Sequence, residues 1–180
     1  LATVIIVISG HFAGFTFIRP FLEQVPRLDV STISLALLAF GMGGFVGNIA
    51  GGAIAARSPA WAVGSASLLV AAAILALILQ GSSPAVAFAA TAVWGFAFGG
   101  FPVSVSIWNA RAAPDLAESA GALLSSAFQV AIASGAVIGG LLIDGLGPSG
   151  VIVYAALAVT AGALVILTLG RAVERQRNMA

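Results

Sequence analysis

Six apolar segments, separated by short polar connectors, occupy almost the whole chain of 180 residues. A helix needs about 20 mostly apolar residues to cross the hydrocarbon core of a bilayer, and all six segments qualify. The pattern therefore predicts an all-α membrane protein with six transmembrane helices in one domain. Their expected bounds are residues 1–21, 33–56, 61–79, 86–108, 120–143 and 151–170.

The composition agrees with a membrane protein. Hydrophobic residues make up 61% of the chain and charged residues only 7%, whereas about a quarter of the residues in a soluble domain are charged. The net charge of +1 gives no field that would attract nucleic acid, so the lipid bilayer is the expected macroscopic partner. Cysteine is absent, which excludes a disulfide framework and a thiolate metal site.

The arginines in the connectors predict the orientation in the membrane. Arg57 and Arg111 follow the second and fourth segments, and the opposite side carries Arg27 and the partly embedded Arg19. A short tail, residues 171–180, adds Arg171, Arg175 and Arg177. Positive residues collect on the cytoplasmic side, so both ends of the chain are predicted to be cytoplasmic.

The start of the chain favours a fragment. Leu1 stands where a complete protein has Met, and no basic region and short apolar stretch of a cleaved signal peptide are present. We therefore expect a piece cut just inside the first helix of a larger protein, with processing of a mature chain as the alternative.

Glycines recur every four residues within three of the predicted helices. They are Gly43, Gly47 and Gly51, then Gly95 and Gly99, then Gly135 and Gly139. Lipid supplies no hydrophobic drive between helices, so close backbone approach at small residues must hold them together. We predict packing seams at these positions, with moving hinges as the alternative. Pro102 is the better hinge candidate, because proline removes a backbone hydrogen bond and should bend its helix.

Three of the helices resemble helices of the major facilitator superfamily, and in particular of drug:proton antiporter-type exporters of sugars and purine nucleosides. The runs are GHFAGFTFIRPFL at 10–22, VWGFAFGGFPVSVSIWNAR at 93–111 and GAVIGGLLIDGLG at 135–147, which are similar to the seventh, tenth and eleventh helices of that family. GGAIAAR at 51–57 is similar to the loop motif after the eighth helix. Ala56 stands where an acidic residue is usual, which weakens the expectation of a complete salt-bridge gate.

This resemblance implies that the chain is the C-terminal half of a major facilitator fold in a bacterial inner membrane. The missing partner would be an N-terminal six-helix half, with the transport cavity between the two halves. The implied function is proton-coupled efflux of a small organic solute, either a sugar, a nucleoside or a drug, by alternating access. Protons and the solute are then the small partners, and no cofactor is expected. The coupling group is either His11 or an acidic residue of the missing half.

Polar and aromatic residues at membrane depth are the candidates for substrate binding or proton coupling, because burying them is costly unless they face a cavity or a partner. We select His11, Phe15, Arg19, Trp94, Phe98 and Gln129. His11 is the single histidine, and it either binds substrate, accepts a proton or forms a structural hydrogen bond while neutral. Arg19 either binds an anionic or oxygen-rich solute or pairs with Glu23. Gln129 lies on the helix that borders the cavity in the family, and a hydrogen bond between helices explains it equally well.

The fourth segment carries an aromatic stripe. Trp94, Phe98, Phe101 and Trp108 share one helical face, and the first segment adds Phe12 and Phe15. Aromatic faces in a cavity would stack on bases and sugars. Packing in the core or against lipid is the alternative.

Catalytic chemistry finds no support in the sequence. One histidine and no cysteine cannot build a nucleophile with its base or a catalytic metal site. A phosphate-binding loop of the GxxxxGK type needs a lysine, which the chain lacks. We therefore predict that the protein is not an enzyme. The alternative functions are a membrane scaffold that transports nothing and a half-carrier that works as a homodimer.

Overall fold

The computed structural model describes residues 1–170, and the predicted tail with its three arginines lies outside that range. Within it the chain is helical and contains no strand, so the all-α prediction is confirmed. A 3₁₀ turn, Pro114–Leu116, and a π-helical turn, Ile166–Gly170, flank the last helix. The α-helices are α1 (Ala2–Thr16), α2 (Ile18–Gln24), α3 (Val30–Ala55), α4 (Pro59–Gln80), α5 (Pro84–Ala112) and α6 (Ala117–Val165).

The first predicted span is broken rather than continuous. α1 and α2 meet at Phe17 with a bend of 45°, and α2 continues to Gln24, beyond the predicted end at residue 21. Pro20 lacks the N–H that would bond the carbonyl of Thr16 in a regular helix. The N–H of Phe17 bonds the carbonyl of Gly14, three residues earlier, whereas a regular α-helix bonds four residues earlier. The segment predicted as one span over residues 1–21 is thus a bent pair of helices, and the two together are long and apolar enough to cross a membrane.

The short connector predicted between the fifth and sixth segments, at residues 145–150, contains a single non-helical residue in the structure. α6 has 49 residues, and only Gly147 inside it is non-helical, with φ 66° and ψ −178°. Glycine adopts this positive φ at little cost, and Pro148 follows it directly. A straight helix of this length would extend about 74 Å, more than twice the hydrocarbon core of about 30 Å. Gly147 thus divides α6 into a first arm, residues 117–146, and a second arm, residues 148–165.

The two arms run in opposite directions along α1. The contacts that show this are Gly135 with Ser9 and Gly139 with Ala13 for the first arm, then Gly162 with Val7 and Ala155 with Gly14 for the second. Along the first arm the contact positions on α1 rise with residue number, and along the second arm they fall. α6 is therefore a helical hairpin, and both of its arms pack against α1.

The predicted glycine seams are confirmed. A Cβ atom on Gly47 would overlap the carbonyl of Phe96, and one on Gly95 would overlap the carbonyl of Phe40. A Cβ on Gly51 would lie 2.5 Å from the Cα of Gly100. α3 and α5 therefore approach each other closely in parallel, as small residues permit in membranes. α5 continues as one helix through Pro102, and the breaks of helical geometry lie at Phe17 and Gly147 instead.

Four helices of the described chain are long and apolar enough to cross a membrane, and the bent pair α1–α2 makes a fifth if it counts as one span. The last of the four, Pro114–Thr168, includes both arms of α6. Large apolar side chains on α3 remain exposed on the domain surface. They are Leu35, Leu38, Met42, Phe45, Val46 and Ile49. Such a surface suits lipid or another membrane domain and not water.

Asp29 begins α3. Its carboxylate accepts hydrogen bonds from the backbone N–H groups of Ser31, at 2.9 Å, and Thr32, at 3.1 Å, which satisfies two of the free donors at the helix start. Hydrogen bonds from the hydroxyls of Ser31 and Thr32 add to this and hold the pKa of Asp29 well below its ordinary value. The cap therefore stays ionised, and it fixes the point at which the chain leaves the α2–α3 connector.

Candidate functional site

His11 and Trp94 form a buried hydrogen bond between α1 and α5. The Nε1–H of Trp94 donates to Nδ1 of His11 at 3.0 Å. His11 is 1% exposed and Trp94 is fully buried. An indole nitrogen can only donate, so Nδ1 of His11 must carry the lone pair. The imidazole is then neutral, with its hydrogen on Nε2.

Five aromatic side chains contact His11, and a sixth, Phe101, stacks on one of the five, Phe98. We call the six the aromatic cluster: Phe12, Phe15, Phe40, Trp94, Phe98 and Phe101. The ring of Phe98 stacks on His11 with centroids 3.2 Å apart and planes within 4°. Phe15 is also nearly parallel to His11, at 5.6 Å and 9°. Trp94 meets the imidazole edge-on at 88°. The rings of His11, Phe15 and Phe98 are therefore nearly parallel, and the indole of Trp94 contacts the imidazole nearly at a right angle to them.

Glycines make room for this cluster. A Cβ on Gly14 would lie 2.9 Å from Cη2 of Trp94, so α1 can approach the indole only because residue 14 has no side chain. Gly95, next to Trp94, lets the backbone of Phe40 come close to α5. Because the same seam brings α3 to α5, the ring of Phe40 stacks on Phe15 at 4.4 Å. The packing of the seam and the geometry of the cluster thus have a common cause.

The structure brings four of the six candidate residues together. His11, Phe15, Trp94 and Phe98 all belong to the cluster or lie at its centre. Phe12 and Phe101, from the predicted stripe, join them. Phe40 was not among the candidates, because it lies on α3, outside the aromatic stripe of the fourth segment and its partners on the first. The signal that could have found it is the glycine spacing of α3, which turns that face toward α5.

Arg19 and Gln129 are not part of the cluster. Nε of Arg19 donates to Glu23 at 2.7 Å, and the two side chains are 62% and 41% exposed. This is the ion pair that the sequence allowed as an alternative, and exposed pairs of this kind contribute little to stability. Gln129 is exposed on the first arm of α6. Both residues remain available to a solute or partner at the domain surface.

The cluster reaches the surface through its phenylalanines. Trp94 and Phe101 are buried, whereas Phe12, Phe15, Phe40 and Phe98 are partly exposed. None of the ring contacts of His11 involves an ionisable residue of the described chain. The described residues also contain no group of three His, Cys, Asp or Glu that could hold a metal ion. The arrangement can therefore offer ring faces and hydrogen bonding to a flat molecule.

Trp108, the last member of the predicted stripe, lies away from the cluster. It borders a cavity of about 320 Å³ at the end of the bundle where α1 begins and α5 ends. The walls include Leu1, Val4, Val105, Asn109, Leu124 and Ile166. The lining is mostly apolar, with Asn109 and Thr3 as its polar side chains.

Arg111 joins two helix ends near this cavity. Its Nη2 donates to the carbonyl of Ala56, the residue that ends α3, at 2.8 Å. A cation at the carboxyl end of a helix interacts favourably with the helix dipole. Ala56 occupies the position where an acidic residue was expected from the loop motif. Arg111 therefore links the ends of α3 and α5 through a backbone carbonyl.

Comparison with known proteins gives a consistent result. The model of the Major Facilitator Superfamily matches residues 1–178. The chain is 37% identical over 161 residues to the purine ribonucleoside efflux pump NepI of Salmonella paratyphi C, covering 89% of this chain and 39% of that protein. It is 39% identical over 139 residues to the pump of the same name in Salmonella enteritidis PT4, covering 77% and 35%.

A solved structure agrees on the fold. The crystal structure of the POT family transporter PepTSo superposes with a TM-score of 0.71 and 18% sequence identity, covering 94% of this chain and 37% of that one. At this identity the likeness concerns the fold alone. The chain spans about two fifths of the length of the curated relatives that it matches.

Proposed function

Because the chain belongs to the Major Facilitator Superfamily, we propose that it is the C-terminal six-helix half of an exporter of small organic solutes. The bent pair α1–α2, the helices α3, α4 and α5, and the two arms of α6 would be its six spans. The domain would pair with an N-terminal six-helix half and work by alternating access around a site between the two. Its match to about two fifths of each relative supports this division.

The proposed solute is a purine nucleoside, with a sugar or a drug as the broader class. The observation that carries the proposal is the stack of near-parallel rings around His11, with Phe98 and Phe15 within 9° of the imidazole plane. Flat bases gain most from such faces. The name of the Salmonella relatives, purine ribonucleoside efflux pump, supports the same solute.

The proposed site consists of His11, Phe15, Trp94 and Phe98, with Arg19 and Gln129 as exposed polar residues at its margin. The interior of the described domain offers no carboxylate for proton coupling, since its acidic residues are all exposed and lie at or near the ends of helices. They are Glu23, Asp29, Asp115, Glu118 and Asp144. Proton antiport therefore would use an acidic residue of the N-terminal half. The positive-inside rule supports a bacterial inner-membrane protein with both ends in the cytoplasm.

The test is transport by the chain joined to its upstream coding sequence, compared with the six-helix chain alone. Both are reconstituted in vesicles with an imposed pH gradient, and the efflux of a labelled purine nucleoside, a labelled sugar and a cationic dye is followed. We expect the joined protein alone to transport the nucleoside, and we expect an ionophore that dissipates the pH gradient to stop this efflux.

Each other result selects a different function. Transport by the short chain alone would favour the homodimeric half-carrier. Preference for the sugar or the dye would keep the exporter and replace its solute. A joined protein that transports none of the three would contradict the proposal and favour the scaffold. An empty vesicle and the joined protein with Gly95→Leu, which blocks the α3–α5 seam, are the controls for leakage.

A further inference from the structure

We propose that His11 serves the solute as a hydrogen-bond donor through Nε2–H, and that Trp94 is the positioning residue that fixes it in this role. His11 is then not the group that carries the coupled proton. The inference deepens the proposed function and rests on it, because it needs a solute at the aromatic cluster. It decides between two roles that the sequence left open.

The first step is the direction of the existing hydrogen bond. Trp94 donates to Nδ1 at 3.0 Å, and its indole has no acceptor to offer in return. A proton added to a neutral imidazole with hydrogen on Nε2 would have to enter at Nδ1. Two N–H donors would then face each other in a buried contact, and the bond between α1 and α5 would be lost. The tryptophan therefore occupies the position that proton uptake needs.

The second step concerns the other ring nitrogen. The bond from Trp94 is the single hydrogen bond of His11 within the described residues. Every fully enclosed side-chain nitrogen or oxygen in that part of the chain has a partner. Nε2 lacks one, so it is not fully enclosed, although the residue as a whole is 1% exposed. A buried polar group without a partner is costly, and a solute that accepts its hydrogen removes that cost.

The third step is the charge around the ring. The elements that contact His11 are α1, α3 and α5, through the five rings named above. No ionisable side chain lies within α3, and Asp29 and Arg57 flank it; α5 carries only Arg111, in its last turn. Beyond α1, Arg19 follows His11 by eight residues, or about 12 Å of helix. The nearest charged side chain along the sequence is thus positive, and no carboxylate of the described residues takes part in the ring contacts or the hydrogen bond of His11.

The geometry also selects the kind of solute. The N–H bond of an imidazole lies in the plane of its ring, and Phe15 and Phe98 are within 9° of that plane. A flat ring that accepts the hydrogen in its own plane would therefore lie parallel to both phenylalanines and could stack on them. Purine bases have ring nitrogens that accept in this way. A sugar has acceptor oxygens and a C–H face, but no flat ring that carries the acceptor in its own plane.

The test uses the joined, full-length protein in vesicles and measures the affinity and pH profile of nucleoside binding and transport. His11→Gln keeps an N–H donor but does not titrate, and His11→Leu removes the donor. We expect His11→Leu to lower affinity about fivefold to tenfold, and His11→Gln to lower it less while proton coupling is retained. Trp108→Phe, at the other end of α5, is the matched control.

Two measurements distinguish this role from a merely structural one. A deaza-purine nucleoside that lacks the bonded ring nitrogen should bind the unaltered protein more weakly than the natural nucleoside does. In His11→Leu the two nucleosides should bind equally. Trp94→Phe removes the donor that occupies Nδ1, so binding should become more sensitive to acid than in the unaltered protein. The deaza experiment needs no altered protein, so it does not depend on whether a variant folds.

The failures are separable. Loss of proton coupling in His11→Gln with nucleoside binding retained would overturn the inference and make His11 the proton carrier. Equal affinity of 3-deaza, 7-deaza and natural purine nucleosides in the unaltered protein would also overturn it, although the exporter function would stand. Absence of binding for the nucleoside, the sugar and the dye alike would overturn the proposed function and the inference with it.

Discussion

The two tryptophans of the aromatic stripe on α5 have very different surroundings. Trp94 is fully buried and bonded to His11, whereas Trp108 borders a cavity of about 320 Å³. They stand 14 positions apart, four turns of a helix, so their side chains share a face. The aromatic stripe therefore indicates the face of the helix on which the side chains lie, but not how tightly the residues around them are packed.

The neighbours of each tryptophan explain the difference. Near Trp94, Gly14 allows the backbone of α1 to contact the indole ring, and Gly95 allows the backbone of α3 to contact the backbone of α5. Around Trp108 the walls are larger side chains, such as Leu1, Val4 and Leu124, and they do not fill the space between them. Tight packing in this domain follows the small residues rather than the aromatic ones.

The largest expected effect on stability comes from adding a methyl group in the tightly packed region around Trp94. Gly95→Ala would place a Cβ against the carbonyl of Phe40 and force α3 from α5, which we expect to cost about 3 kcal/mol as an overpacking change. Gly41→Ala is the matched control, because nothing lies within 4 Å of a Cβ at that position. Thermal unfolding in detergent measures both. Equal midpoints would contradict the tight seam.

The next effect compares the two tryptophans directly. Trp94→Phe removes the donor to His11 and leaves a small void, so we expect a loss of about 2 kcal/mol in stability. Trp108→Phe borders an existing cavity and should cost about 1 kcal/mol or less. Chemical denaturation followed by circular dichroism gives both values. Similar losses at the two positions would show that the cavity is closed in solution.

The smallest effect should have the opposite sign. Leu124→Phe adds volume on the wall of the cavity, and we expect it to stabilise the protein by about 0.5 kcal/mol, as cavity-filling changes do. Ile8→Phe adds similar bulk in the dense core, where Ile8 is 2% exposed, and should destabilise by about 2 kcal/mol. A rise in the unfolding midpoint for Leu124→Phe and a fall for Ile8→Phe would confirm the contrast. A fall for both would mean that the cavity walls are rigid.

The sequence predicted the features of the fold that depend on repeated patterns. Apolar length located the helices, and the spacing of Gly47 and Gly95 located the α3–α5 seam. The bend at Phe17 depends on a single missing N–H, that of Pro20, which an apolar stretch of ordinary length does not reveal. Gly147 likewise turned a six-residue connector into a one-residue break, because backbone freedom at one glycine was enough.

The candidate site was predictable in part for a similar reason. His11 stood out because it is the single histidine and ionisable residues are rare at membrane depth, and Trp94 because it lies on the aromatic stripe. Their hydrogen bond depends on Gly14, whose role is visible only when the helices are assembled. Phe40 lies on a third helix, outside the aromatic stripe, and only the glycine spacing of α3 indicates that its face turns toward α5. Arg19 paired with its neighbour Glu23, which chain proximity favoured from the start.

The hairpin of α6 has a mechanical consequence. Its arms are joined by one non-helical residue, Gly147, so the connection has no slack. A displacement of the first arm must be followed by the second, and both arms contact α1. α1 and the two arms of α6 therefore form one packed group, and the hydrogen bond between Trp94 and His11 ties that group to α5.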